Sequence, residues 1–167
     1  MLLVKVKYQL HYTVKWCICL PVTQVSVFLD NRPGSLFEAM SQLDNNQIRV
    51  FALSIADAGE YGLVRLIAEE PERAEKLLED AGFNLAKSKK NTEVTAIFSS
   101  EKDRLSKITK ILGDSGLNIE YAYSSGIHVD GQVALIIRVS DVAKAEQLLK
   151  AGGITVLSLA DLQKNFK

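Results

Sequence analysis

The chain has 167 residues, 20 Lys+Arg against 20 Asp+Glu for a formal net charge of zero, and a composition that is 47% hydrophobic and 24% charged. That length suits one ordinary domain or two very small ones, and the composition is that of a globular chain, not a disordered one. The neutral balance argues against nucleic acid as the main partner. Two cysteines exclude a disulfide framework, and no apolar run reaches the roughly 20 residues of a membrane helix, so a cytoplasmic setting without membrane contact is expected.

The chain opens on a long alternation. Leu2, Val4, Val6, Tyr8, Leu10, Tyr12, Val14, Trp16, Ile18 and Leu20 are apolar at every even position. Period two is the signature of a half-buried strand, yet a strand typically has about 5–6 residues and no hairpin residues interrupt this run. Residues 1–23 are therefore read as an extension with three meanings open: an extra edge strand or strand pair, an arm for a partner, or a translated upstream stretch foreign to the mature protein. Lys15 breaks the apolar stretch and no small-residue cleavage site follows, which argues against a signal peptide. His11, Cys17 and Cys19 offer too few ligands for a tetrahedral site, so neither metal nor cofactor is expected.

Past Thr23 one pattern occurs twice. Gln24–Leu29 alternates as a strand, and the turn Asp30–Gly34 leads into a helix over Ser35–Leu43 with Leu36, Met40 and Leu43 on one face. Ile48–Ile55 and Tyr61–Ile67 read as antiparallel strands about the turn Asp57–Glu60. Pro71 opens a helix that runs to Asp80 and stops near Gly82, and a short strand over Phe83–Ala86 follows. The second copy gives a strand over Glu93–Phe98, a helix over Leu105–Leu112, and strands over Leu117–Tyr123 and Gln132–Arg138. A helix over Val142–Lys150 and a strand over Ile154–Leu157 complete it. Ala74-Glu-Lys-Leu-Leu78 reappears as Ala145-Glu-Gln-Leu-Leu149, and Gly82 matches Gly153. Residues 24–90 and 91–167 are read as two domains.

A βαββαβ unit puts two helices on one face of a four-stranded antiparallel sheet, the ferredoxin-like arrangement. The expected fold class is α+β: two such units in tandem, their sheets pairing edge to edge with helices on one face. Edge pairing removes one exposed edge from each unit.

Asn31-Arg32-Pro33-Gly34-Ser35-Leu36 joins the first strand to the first helix. Pro33 stiffens the entry and Gly34 permits positive φ or close approach. The first amides of a helix lack intrahelical partners, and the dipole adds about 0.3–1 kcal/mol for an anion set against them. The purely structural alternative is that Ser35 or Asn31 caps the helix and Pro33-Gly34 makes a turn.

A duplicated βαββαβ unit with Pro-Gly-x-Leu after its first strand resembles the ACT domain, a small regulatory module that binds amino acids. The resemblance covers Gln24 to about Leu159 as two copies. Ile119-Glu-Tyr-Ala-Tyr-Ser124 is similar to a pattern in stand-alone bacterial tandem ACT proteins without a catalytic domain. Where many members carry Asp, this chain has Asn31. The resemblance implies a free amino acid held between modules by Asn31, Arg32, Pro33, Gly34, Ser35 and Leu36. It would be closed by Asn118, Glu120, Tyr121 or Tyr123 of the second copy. Alternation groups Asn118, Glu120 and Ala122 on one face of their strand, and Ile119, Tyr121 and Tyr123 on the other as core. The equivalent turn of the second copy, Ser100-Glu-Lys-Asp-Arg-Leu105, lacks both Pro and Gly, so one strong site per chain is expected.

Catalysis needs an activated nucleophile, a tuned acid–base pair, a metal or a cofactor. The sequence presents no Walker loop, no GxGxxG after a strand, and a second histidine, His128, in a loop beside Asp130-Gly131. The expected function is a non-catalytic amino-acid sensor acting as a homodimer or on a regulated partner protein. The alternative is a structural interaction or oligomerisation module with no metabolite ligand.

Overall fold

The computed structural model describes residues 22–86, 92–99, 104–129 and 132–165. The alternating N-terminal run, with His11, Cys17 and Cys19, lies outside them, as do the second copy's turn at 100–103 and the pair 130–131. In chain order the elements are β1 (Val22–Asp30), α1 (Ser35–Asn45), β2 (Val50–Ala58), β3 (Tyr61–Ala68), α2 (Pro71–Asp80) and β4 (Asn84–Leu85). The second half has β5 (Thr92–Ser99), α3 (Arg104–Asp114), β6 (Ile119–Val129), β7 (Gln132–Val139), α4 (Val142–Ala151), β8 (Val156–Leu157) and α5 (Leu159–Asn165). Two βαββαβ units thus follow one another, and Gly82 and Gly153 hold the same left-handed conformation after α2 and α4.

The strands form one 8-stranded antiparallel sheet in the order β2-β3-β1-β5-β7-β6, with β4 on β1 and β8 on β5. The two halves join edge to edge through β1 and β5, whose register is Val22↔Val94, Thr23↔Glu93 and Gln24↔Thr92. Farther along, the same edge of β1 is taken by β4 at Val27↔Leu85 and Phe28↔Asn84.

Strand alternation sorts the core into three parts. On the helix side of the first half, Val25, Val27, Leu29, Val64 and Leu66 pack against Ala39 and Leu43 of α1 and Ala74 and Leu78 of α2. Ile97, Ile137 and Val139 pack likewise against Ile108, Leu112, Ala145 and Leu149. The faces turned away from the helices meet one another. Val22, Phe51 and Ile67 of the first half join Val94, Phe98, Ile127 and Ile136 of the second in a common core. The sheet therefore curls until β2 and β6, at opposite ends of the strand order, come into contact.

Helix α5 is an element that the sequence pattern did not suggest. Its start is a capping box: Ser158 N donates to Asp161 Oδ2 at 2.8 Å and Asp161 N donates to Ser158 Oγ at 3.2 Å. The bonds that Asp161 Oδ2 accepts from the Ser158 hydroxyl, at 2.6 Å, and from Ser158 N hold its carboxyl below the usual range. Leu162 enters the common core, and Gln163 Nε2 donates to the Glu69 carbonyl at 3.3 Å, tying the helix to the first half. Among the described residues no helix is long and apolar enough to cross a membrane.

Because that core is shared, the two halves should unfold together. Phe51→Ala, at a site 2% exposed, should cost about 3–5 kcal/mol. Urea denaturation followed by circular dichroism should show one transition moved to lower urea, whereas two separate transitions would contradict the shared core.

Candidate functional site

The turn after β1 is held by the β2–β3 hairpin. Asn31 N donates to the Glu60 carbonyl at 2.9 Å, and Asn31 Nδ2 donates to the Gly59 carbonyl at 3.1 Å. Gly34 stands at the N-cap with φ 93°, and no side chain caps the helix there. The capping alternative is thus not the arrangement found: Asn31 bonds backward to the hairpin, and Ser35 is turned inward. The first helical bond runs from Glu38 N to the Gly34 carbonyl at 2.9 Å. The amides of Leu36 and Phe37 have no backbone partner among the described residues.

Ser35 is 4% exposed, and its Oγ is buried without a hydrogen-bond partner. It borders a cavity of about 270 Å³ shared with Phe28, Asp30, Arg32 and Glu38 on one side and Gly82, Phe83 and Asn84 on the other. The cavity is slightly below the usual range for small-molecule pockets, about 300–1,000 Å³. Its rim is charged. Arg32 grips Glu38 through two bonds, Nη1 to Oε1 at 3.1 Å and Nη2 to Oε2 at 2.9 Å, and its Nε lies 3.6 Å from Asp30. The Arg32 hydrogen bonds hold the Glu38 carboxyl below the ordinary glutamate range.

Of the expected site residues, Asn31, Arg32, Pro33, Gly34, Ser35 and Leu36 form this turn and helix start. The four from the second copy lie elsewhere. Asn118 is exposed, and its carbonyl accepts from Ser140 N at 3.2 Å. Glu120 lies 3.8 Å from Arg138 Nε. Tyr121 and Tyr123 meet Gln24 at the start of β1: Gln24 Nε2 donates to Tyr121 Oη at 2.9 Å and Tyr123 Oη donates to Gln24 Oε1 at 3.0 Å. Gln24 and the turn stand at opposite ends of one strand, about 20 Å apart at strand rise. The cavity at the turn is lined by the first half alone.

The expected grouping of Ile119 with the two tyrosines also differs. A register shift between Ile119 and Tyr121 sends Ile119 to the helix-side core, while Tyr123 packs on the common core between the halves. Burial there pushes the Tyr123 hydroxyl far above the normal tyrosine value, with the neighbouring Tyr121 adding to the shift and Arg65 opposing it. Sequence reasoning missed Gln24 and Arg65. Their signal was a polar residue at an inward position of an otherwise apolar alternation.

A family model described as the ACT domain pair matches residues 20–164. Among solved structures, protein BT0572 from Bacteroides thetaiotaomicron is similar at 31% identity and TM-score 0.76, over 86% of this chain and 96% of that one. The ligand-free regulatory subunit of aspartate kinase from Thermus thermophilus shares the fold at 14% identity and TM-score 0.59, over 80% and 93%. The corresponding subunit from Thermus flavus does so at 13% and TM-score 0.52, over 87% and 94%. No curated protein matches.

Two outcomes test this geometry. In Gly34→Ala the new Cβ meets nothing nearer than Glu38 Oε1 at 4.0 Å. The cost should therefore be conformational, about 1–2 kcal/mol from left-handed backbone, read as a lower urea midpoint; no loss would mean the turn relaxes. Glu38 should titrate by NMR below an ordinary glutamate, and Arg32→Ala should return it upward. A lowered folded-state pKa stabilises above the unfolded value and is lost as pH falls through the folded one. An unchanged Glu38 midpoint in Arg32→Ala would contradict the pairing.

Proposed function

Because the chain belongs to the ACT domain pair family, we propose that it is a non-catalytic regulatory protein that holds a free amino acid in the cavity at the start of α1. The observation that carries this reading is the buried hydroxyl of Ser35, without a partner among the described residues, beside the amides of Leu36 and Phe37, which have no backbone partner among them. A buried donor left unmade is costly, and the start of a helix favours negative charge, so a carboxylate answers both demands. The ligand's α-carboxylate would sit against Gly34, Ser35 and Leu36. Its ammonium would turn to the acceptors at hand: the Asp30 carboxylate, the Asn31 side-chain oxygen and strand carbonyls. Arg32, already paired with Glu38, would set the charge of the entrance rather than clamp the ligand.

The fold shared with regulatory subunits of aspartate kinase supports control over catalysis as the role. In this reading residues 24–90 and 91–167 are the two modules, and the listener is a second copy of the chain or a regulated enzyme. Asn118, Glu120, Tyr121 and Tyr123 lie too far along the fold to close this cavity within one chain, so closure over the ligand would come from another copy.

A thermal-shift screen of the twenty amino acids should single out one or two that stabilise the protein. Calorimetry with such an amino acid should give about one equivalent per chain, and Ser35→Ala should weaken it several-fold. Two equal sites per chain would contradict the asymmetry of the two turns. A flat panel would overturn the reading in favour of an interaction module, for which Phe37, 75% exposed on α1, would be the natural contact.

A further inference from the structure

The face of the first half's sheet that points away from α1 and α2 is ordered in cross-strand rows. Register aligns Ser26, Arg65 and Ser54 across β1, β3 and β2, then Phe28, Leu63 and Ala56, then Asp30, Tyr61 and Ala58. In the opposite direction lie Ala52 and Ile67, sealed in the common core. The face thus passes from dry core to a polar row, then to an apolar row in which Phe28 is 38% exposed, and last to the row of Asp30 and Tyr61, where Tyr61 is 46% exposed.

Arg65 is the unusual member. Its guanidinium lies 4.3 Å above the ring of Tyr121, which the second half contributes. The ring contact engages the cation and leaves its N–H donors able to take a further acceptor. No acidic side chain among the described residues pairs with it, although the other arginines of this half, Arg32, Arg49 and Arg73, each hold a carboxylate. The neighbouring Ser26 is committed, its Oγ accepting from Gln24 Nε2 at 2.9 Å, whereas Ser54 stands on the other side of Arg65 in the same row. The result is a half-buried guanidinium with no acidic partner among the described residues, roofed by an aromatic ring and followed by a row of apolar side chains, Leu63 and Ala56 half-buried and Phe28 exposed.

We infer that this row is a second binding site, taking a small molecule that joins a carboxylate to an apolar body. The carboxylate would lie in the plane of the Arg65 guanidinium, in the two-pronged geometry such pairs favour. The apolar body would cover Leu63, Ala56 and Phe28. A phosphate without an apolar body would satisfy the cation and leave the strip wet, and an apolar alcohol would cover the strip and leave the cation unpaired. The site is independent of the amino-acid cavity in its chemistry, though Phe28 borders both.

The full chain titrated calorimetrically with octanoate should show saturable binding, with octan-1-ol and inorganic phosphate each at least tenfold weaker. Arg65→Ala should weaken octanoate about tenfold to a hundredfold, and Arg65→Lys, which keeps the charge but loses the fork, should fall between. Leu63→Asn should flatten the rise in affinity from acetate through butyrate to octanoate, a readout that survives if Arg65→Ala fails to fold. Ser35→Ala should leave octanoate binding unchanged. Octanoate binding no tighter than octan-1-ol, undiminished by Arg65→Ala, or abolished by Ser35→Ala would each overturn the proposal. The last of these would place octanoate in the cavity at the turn.

Discussion

The structure depends on a short seam. Among the described residues three pairs join β1 to β5, and the side chain that crosses there is an amide, Gln24, 2% exposed. A buried amide must find partners for both ends or it costs more than it contributes. Gln24 Nε2 donates to Ser26 and to Tyr121, and its Oε1 accepts from Tyr123. Apolar contact alone would tolerate sliding, since a Val or Ile side chain packs acceptably in several positions. Hydrogen bonds of fixed length to two hydroxyls do not. The amide thus sets the register of one half on the other, and Phe51, Ile67, Phe98 and Ile136 supply the bulk of the burial around it.

How much of this was legible in the sequence follows from what each signal measures. Alternation and helical spacing report which residues are buried within one unit, so the twelve elements of the duplicated pattern could be read in order. Pro71 and Gly82 marked the ends of α2 because their backbone preferences act locally. The capping box at Ser158 and Asp161 was equally local and was there to be read, with Leu159 and Leu162 after it. Packing of one unit on the other is a different matter. The bulge between Ile119 and Tyr121 reverses which face each residue takes, and a one-residue shift leaves no trace in composition. Gln24 and Arg65 were visible as polar intrusions in apolar strands, but their meaning rested on Tyr121, far along the chain in the other half.

The turn was legible in part for a related reason. Pro33 and Gly34 announce backbone chemistry, and the left-handed Gly34 answers it. The fate of the side chains around them depends on neighbours from elsewhere. Asn31 is drawn to the hairpin carbonyl of Gly59, while Glu38, which sequence reading passed over, becomes the partner of Arg32. The cavity itself exists because Gly82, Phe83 and Asn84 return beside the turn after α2, a consequence of the fold and not of the motif.

The duplicated halves are also unequal in a way that bears on regulation. In the second half, α5 lies over the inward sheet face and contributes Leu162 to the sealed core. In the first half the corresponding end of the sheet, from Arg65 to Tyr61, stays open. A ligand can shift an equilibrium only by binding two states with different affinity. The common core, with Val22, Val94 and Ile136 at 0% exposure, is a poor place for two states, because parting it would open apolar surface from both halves at once. The cheaper changes lie along the first half's sheet, where groups lack partners among the described residues. At the turn after β1, next to a left-handed glycine, two amides have no backbone partner among them. Midway along β3, an arginine leans on a ring of the opposite half, with no carboxylate paired to it among the described residues. Strand β1 runs past both, and its pairing with β3 and β5 connects them to the seam.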